Sequence, residues 1–377
     1  MRERRGGGWE GAVPVSATSN RGSVPGLLVV SAAMSRFFVV HALLYAGLAG
    51  VAAAIAAAMA RWRPLIDAPN ARSSHAKPTP RGGGVGIVVA TLCGWAMFWS
   101  AGFASRPAGA PEFGLAAGAL VVALAGLMDD RRAQPAWIKL GAQALAAAIA
   151  IACGLAIERV ALPGLGVVEL GPLAVPLTAL WLIGLTNAFN FMDGLDGLAA
   201  ATATIAAAAL ALIAQAGGNG PVAALAWSLA AASAGFLLLN RPPARIFMGD
   251  VGSQFLGFAF AGLGVLMAQR VADGGGALLV PLLLFHFLFD TALTAWRRWR
   301  RGELLWQAHR EHLYQRLNRT GLGHLAVTMA VSISALALAA LALFAPDASG
   351  LWRGLGVAFA LQLAYAAWVA RREAARR

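Results

Sequence analysis

Helix-length apolar runs recur eleven times along this chain, at about 37–60, 85–104, 112–128, 137–157, 173–191, 197–215, 221–239, 251–270, 277–295, 324–344 and 350–370. Each lies near the roughly 17–25 residues that a helix needs to cross a bilayer. A chain patterned this way is expected to fold as an all-α polytopic membrane protein of about 11 transmembrane helices. Several runs are rich in Ala and Gly, which lets helices approach closely in lipid. Charge agrees: 12% of the 377 residues are charged, against about 25% in soluble domains, and they sit between the apolar runs.

An odd number of spans puts the termini on opposite sides, so the distribution of Lys and Arg selects the orientation. One side carries 21 of the 30 basic residues, in segments 61–84, 129–139, 240–250, 296–323 and 371–377; the other carries 9, four of them before Met34. The first side is read as cytoplasmic, with the N-terminus outside and the C-terminus cytoplasmic. The net charge of +13 then needs only a lipid bilayer as partner and no nucleic acid, because the basic residues form no single soluble face. Residues 1–33 show no helical period and are expected to be disordered or to precede a true start at Met34. Residues 34–377 are read as one integral membrane domain with cytoplasmic loops 61–84, 129–136, 190–196, 240–250 and 296–323. Cys93 and Cys153 fall inside apolar runs and read as small buried hydrophobes.

The chemistry lies in polar motifs at the cytoplasmic helix ends. Asn187, Asn190, Asp193 and Asp196 recur at every third position of "TNAFNFMDGLDG", a spacing that holds them on one slowly drifting helical face. Carboxylates beside hydrocarbon mark an ion, a substrate or a proton path. "GLMDDRR" sets Asp129 and Asp130 side by side, where they repel unless a cation or an Arg neutralises them; a divalent metal or a proton-accepting role resolves that, with a capped helix end paired with Arg131 and Arg132 as the alternative. Lys139 and Gln143 are one turn apart on the next helix, within reach of the same surface. In "RIFMGDVGS" Asp250 stands between glycines at the mouth of a span, suited to an N-cap or to a Mg²⁺ ligand. "SSHAKPTPRGGG" offers glycine amides, Lys77 and Arg81 to an anion, or forms a basic hinge against lipid head groups. "HREHLYQR" holds His309 and His312 on one helix face with Arg310 and Arg316 as phosphate-binding cations. No Cys or third His stands near them, which argues against zinc. A surface amphipathic helix with Leu304, Leu305, Trp306, Leu313 and Leu317 against the membrane is compatible with the same segment.

In this order, from about Ser73 to Arg319, the motifs resemble the polyprenyl-phosphate N-acetylaminosugar-1-phosphate transferases, the superfamily that includes MraY and WecA. "HREHLYQRL" looks most like the members that initiate O-antigen or related surface polysaccharides. The resemblance implies a multi-pass enzyme of the bacterial inner membrane with its active site on the cytoplasmic face. It would transfer an N-acetylaminosugar 1-phosphate from a UDP-sugar to undecaprenyl phosphate, releasing UMP. It also implies Mg²⁺, with Mn²⁺ able to substitute, and makes a homodimer an expected assembly. By motif, Asp129 and Asp130 become the acidic pair of the active site, Asn190, Asp193 and Asp196 the Asn/Asp motif, and Asp250 the metal-ligating Asp, with Asp193 as a second candidate. His309, Arg310 and His312 fall near the nucleotide diphosphate, and Lys139 matches a Lys after the acidic pair, although the residues between differ from the peptidoglycan-precursor branch. Asn187, Lys77, Arg81 and Arg316 complete the substrate-binding candidates; Asp129, Asp130, Asp193 and Asp196 are the catalytic ones.

Two other classes share some of these features. Intramembrane prenyltransferases use Asp-rich Mg²⁺ motifs, but with aspartates typically four residues apart rather than three. An ion-coupled transporter would hold its carboxylates near the bilayer midplane, often with inverted repeats, whereas these lie at one surface.

Overall fold

The structure is a computed structural model describing residues 25–62, 65–67, 78–100, 110–304, 307 and 309–376, with side chains described from residue 39. Lys77, Leu305 and Trp306 lie outside the described residues. The chain divides into two units, Met1–Leu43 and Leu44–Arg377. In the first, the described residues are helical from Pro25, so part of the segment expected to be disordered belongs to a helix. Its Leu, Val and Ala residues have good helix propensity in hydrocarbon, where a helix alone satisfies every backbone group.

Thirteen α-helices run through the described residues: α1 (Pro25–Trp62), α2 (Gly84–Ser100), α3 (Ala110–Arg131), α4 (Ala136–Ala152), α5 (Ala174–Phe191), α6 (Leu198–Ala216), α7 (Gly220–Asn240), α8 (Asp250–Arg270), α9 (Gly276–Leu283), α10 (Phe285–Arg300), α11 (Leu313–Arg319), α12 (His324–Phe344) and α13 (Ala348–Ala374). Eight helices are long and apolar enough to cross a membrane, nine if the bent pair α9 and α10 counts as one span. The remaining apolar runs form α2 and α4, at 17 residues each. The run read as one straight span at 277–295 is broken at Leu284, with α9 and α10 at 72°. Pro281, inside α9, removes one donor from the ladder just before the break.

Two small antiparallel ribbons amend the all-helical expectation. Strand β1 (Ile66–Asp67) pairs with β2 (Thr79–Pro80), and β3 (Arg159–Leu162) with β4 (Gly166–Glu169), Arg159 facing Glu169. Both lie in connections between helices, where backbone groups lack helical partners.

The α8 helix is the axis of the second unit, with every residue from Val251 to Ala268 buried. It runs antiparallel to α3. Asp130 at the end of α3 meets the start of α8, and at the far end Arg270 pairs with Glu112. The close fit depends on small residues. A Cβ on Gly257 would come within 2.7 Å of the Thr186 backbone on α5, and one on Gly126 of α3 within 2.6 Å of the Asp250 carbonyl carbon. Such backbone approach is what small residues allow between helices in lipid. Helices α3, α5, α7 and α10 end, and α4, α6, α8 and α12 begin, at the level of the polar motifs, which alternation of direction through a helical bundle requires.

Two expectations about burial change. Cys93 is exposed and Cys153 partly so, because apolar helix faces that turn outward need no protein cover in lipid. Leu313 and Leu317 are fully buried within the protein, so α11 is packed into the bundle and does not lie on the membrane as a surface helix.

Candidate active site

Six elements converge on one polar site, and its centre is the start of α8. Asp250 is the first residue of that helix, and its carboxylate accepts from Asn190 Nδ2 at 3.1 Å and from Gln254 Nε2 at 3.0 Å. Lys139, on the first turns of α4, places Nζ 3.3 Å from Asp250 Oδ2 and 3.3 Å from Asp129 Oδ2. One ammonium therefore bridges two carboxylates from two different helix ends. Asp129 is held further by the Gln134 amide at 2.7 Å. Behind this layer the amides interlock: Asn187 Nδ2 donates to Gln143 Oε1 at 2.7 Å, Gln143 Nε2 donates to Gln254 Oε1 at 3.2 Å, and Asn190 Nδ2 reaches Ser253 Oγ at 2.8 Å. Side-chain networks of this kind, satisfied in a buried setting, fix their members rigidly.

Asp130 differs from its neighbour. Buried at 3% exposure, it turns both oxygens to the start of α8, accepting from the Asp250 amide at 2.9 Å and the Val251 amide at 3.1 Å. It caps α8 from another helix, satisfying two orphan donors and placing negative charge at the positive end of the dipole. Gly249 turns with φ +78° directly against this carboxylate. Arg81 donates to the Asp130 carbonyl and lies 3.9 Å from its Oδ1.

Asp193 and Asp196 occupy the turn between α5 and α6. Asp196 is tied down, Oδ2 accepting from the Ala244 amide at 3.0 Å and Oδ1 lying 3.2 Å from His324 Nδ1. Among the described residues the Asp193 carboxylate has no hydrogen-bond or ion-pair partner. Burial pushes it up to about 8, reinforced by the charges of Asp250, Asp130 and Asp196. No three His, Cys, Asp or Glu side chains converge into a metal cage among the described residues. Mg²⁺ does not require one, since one or two carboxylates suffice when waters and phosphates supply the rest. An unpartnered carboxylate facing other carboxylates suits a hard cation, and Asp193 with Asp250 fits that role.

The segment 309–316 reaches the same site from α10. His309 and His312 precede α11 and so do not share the helix face expected of them; their rings are tilted by 35° with centroids 5.0 Å apart, and His312 lies 6.1 Å from the Phe191 ring at the end of α5. Burial, then the neighbouring His312 and Arg298, hold His309 down at about 4. Arg310 is half-buried in this loop, and Arg316 is engaged by Glu373 of α13 through two hydrogen bonds. Gly83 and Gly84 also differ from the anion-cradle expectation, because their amides donate to the Phe247 and Met248 carbonyls at 3.0 and 2.9 Å. A Cβ on Gly84 would strike the Gly252 backbone, so these glycines serve close packing of α2 on α8.

The structure also brings in Asp290, Ser253 and Gln254, which the motifs did not single out. Asp290 belongs to a buried polar stripe on α10, His286, Asp290, Thr294 and Arg298, all at 4% exposure or less. Their strict four-residue spacing inside an apolar run was a readable sign of a protein-facing polar stripe.

Comparison with known proteins gives a consistent picture. Glycosyl transferase family 4 matches residues 113–268. A Bacillus subtilis (strain 168) protein named "Probable undecaprenyl-phosphate N-acetylglucosaminyl 1-phosphate transferase" is 32% identical over 260 residues, 69% of this chain and 71% of that one. The decaprenyl-phosphate N-acetylglucosaminephosphotransferase of Mycolicibacterium smegmatis is 32% identical over 324 residues, 78% of this chain and 79% of its own. The phospho-N-acetylmuramoyl-pentapeptide-transferase of Heliobacterium modesticaldum is 42% identical over a shorter stretch of 123 residues, 33% of this chain and 36% of that one.

Proposed function

The chain belongs to the polyprenyl-phosphate N-acetylaminosugar-1-phosphate transferases of the MraY/WecA superfamily, and from that premise we propose that it transfers an N-acetylaminosugar 1-phosphate from a UDP-sugar to undecaprenyl phosphate. UMP is released, and the product begins a lipid-linked, O-antigen-like surface polysaccharide. The reading includes eleven spans in the bacterial inner membrane, with α2 and α4 as the short ones, the N-terminus outside, and the site on the cytoplasmic face. A pair of chains forming a homodimer belongs to the same reading.

One observation carries it: the Lys139 ammonium clamped between Asp129 and Asp250, with an unpartnered Asp193 beside them, at the level where the helices end. Both substrates are anions, so carboxylates alone would repel them. Asp250 and Asp193 are the residues that would hold Mg²⁺, or Mn²⁺ in its place, and the ion would supply positive charge against the diphosphate. Lys139 and Arg81 add fixed cations on one side, and His309, Arg310 and His312 on the other take the nucleotide end. Asp129, whose oxygens face Lys139 and the loop, orients the lipid phosphate or takes its proton. Asp130 holds α8 in register through its cap, and Asp196 holds the Asp193 turn. Lipid phosphate oxygen attacks the β-phosphorus in line, a P–O bond forms there, and the bond to the bridging oxygen breaks with its electron pair leaving on UMP. Phosphoryl transfer of this kind needs positioning and charge stabilisation more than covalent help.

The test is release of UMP from a panel of UDP-N-acetylaminosugars by the purified chain with undecaprenyl phosphate. Turnover with at least one donor, dependent on the lipid, is expected. Absence of UMP release across the panel sinks the reading. Accumulation of a phosphorylated Asp would replace direct attack with double displacement.

A further inference from the structure

We propose that Asp290 is a positioning residue that locks the histidine loop onto the carboxylate turn. The inference rests on the transferase reading above and assigns a role to a group which that mechanism leaves unused. Asp290 sits on α10 just past the 72° break, 2% exposed. A carboxylate so buried is costly unless it is fully engaged. Its partners account for it: Oδ1 accepts from the Leu313 amide at 2.9 Å and the Thr294 hydroxyl at 3.1 Å and lies 3.2 Å from His312 Nδ1, while Oδ2 accepts from the Tyr314 amide at 3.4 Å.

Two consequences follow. The carboxylate 3.2 Å from Nδ1 orients the His312 ring at the start of α11. The same carboxylate caps the start of α11, and so fixes Tyr314. The Tyr314 hydroxyl donates to the Phe191 carbonyl at 3.0 Å. It also fills the space beside Gly194, where a Cβ would collide with it. Asp290 thus connects, through one helix start and one phenol, to the residue that follows Asp193. The bend at Leu284 is what lets α10 bring its polar stripe to this position. Asp130 performs the matching service for α8, so each half of the site hangs on a buried Asp that caps a neighbour's helix.

The experiment is steady-state UMP release by the full chain in detergent, using the best donor of the panel, for Asp290→Asn, His312→Gln and the double variant, with Tyr314→Phe as a variant that removes a single hydroxyl. Asp290→Asn is expected to raise the donor KM about tenfold, the loss of charged hydrogen bonds, with the undecaprenyl phosphate KM within twofold of wild type. Tyr314→Phe should shift the same constant in the same direction. The double variant should fall clearly short of the product of the two single effects, because Asp290→Asn already removes the His312 link along with the cap on α11. The proposal is overturned by wild-type kinetics in Asp290→Asn, by multiplicative effects in the double variant, or by equal rises in both KM values. If Asp290→Asn does not fold, an unchanged donor KM in Tyr314→Phe overturns it. Wild-type protein that releases no UMP fails the transferase reading instead, which separates the two.

Discussion

Asp193 and Asp130 show how residues with the same side chain take different parts in one site. Asp193 has no hydrogen-bond or ion-pair partner among the described residues, so removing its charge takes away no such interaction with them. Asp193→Asn is expected to keep or raise the thermal midpoint while lowering UMP release at least 100-fold. Asp250→Asn should lose activity as fully, and a variant of either kind with wild-type turnover would contradict the assignment. Asp130→Asn removes a charged cap and should lower stability by about 1 kcal/mol, read as a fall in midpoint accompanying any loss of rate. His309 supplies a pH dependence. Its folded value is held down at about 4, below the roughly 6.5 of a free imidazole, so between those values the unfolded chain binds more protons. Stability therefore rises with pH across that window and is lost as pH falls through it. The midpoint of the wild type should drop more between pH 7 and 5 than that of His309→Gln; equal drops would remove His309 as the cause. Most of these residues were legible in the sequence, because carboxylates set against apolar runs are costly unless they serve an ion, a substrate or a proton. Their division of labour was not, since Asp129 and Asp130 are adjacent in sequence and only the direction of each side chain separates a cap from a ligand-facing group.

At the scale of elements, the start of α8 organises the site. Gly249 turns against Asp130, Gly252 against Gly84, and Gly126 against the Asp250 carbonyl, so three helices meet there with no room for a side chain. Gly126→Ala, in a helical backbone that tolerates Ala, isolates the packing effect. Overpacking of this sort is worth about 1–3 kcal/mol, and Gly126→Ala is expected to lower the thermal midpoint and, by displacing Asp250, the turnover. Gly141→Ala, where a Cβ would meet nothing within 4 Å, serves as the control and should be neutral. The helices themselves were legible from their apolar length, because hydrocarbon leaves the backbone few other solutions. The break at Leu284 was harder to read, as 277–295 is apolar apart from Pro281, Thr291 and the stripe at His286, Asp290 and Thr294, and a single Pro can also sit in an unbroken spanning helix. That stripe carried the missing signal: a straight spanning helix has little reason to bury three polar residues on one face unless the face meets protein.

For the whole molecule, the site lies at a single level of the bundle, and the distribution of charge bears on the proposal that this level faces the cytoplasm. The 21 Lys and Arg that share a side with the acidic motifs, against 9 on the other, favour retention of that side in the cytoplasm. The substrate argument is independent of this count: a nucleotide donor is made where nucleotides are, and a polyprenyl phosphate can present its head at either face while its chain stays in hydrocarbon. Both arguments require the loops 240–250 and 296–323 to be cytoplasmic and the β3–β4 ribbon to be outside. Single cysteines at Arg245, Arg301 and Leu165, introduced into a Cys93→Ser/Cys153→Ser background, make the arrangement measurable in intact cells with a membrane-impermeant maleimide. Leu165 is 72% exposed and Arg301 lies at the end of α10, so accessibility of the thiol depends on sidedness rather than burial. Labelling at residue 165 in intact cells, and at 245 and 301 only after permeabilisation, is the expected pattern. The reverse pattern would move the acidic site to the outer face, out of reach of a cytoplasmic UDP-sugar.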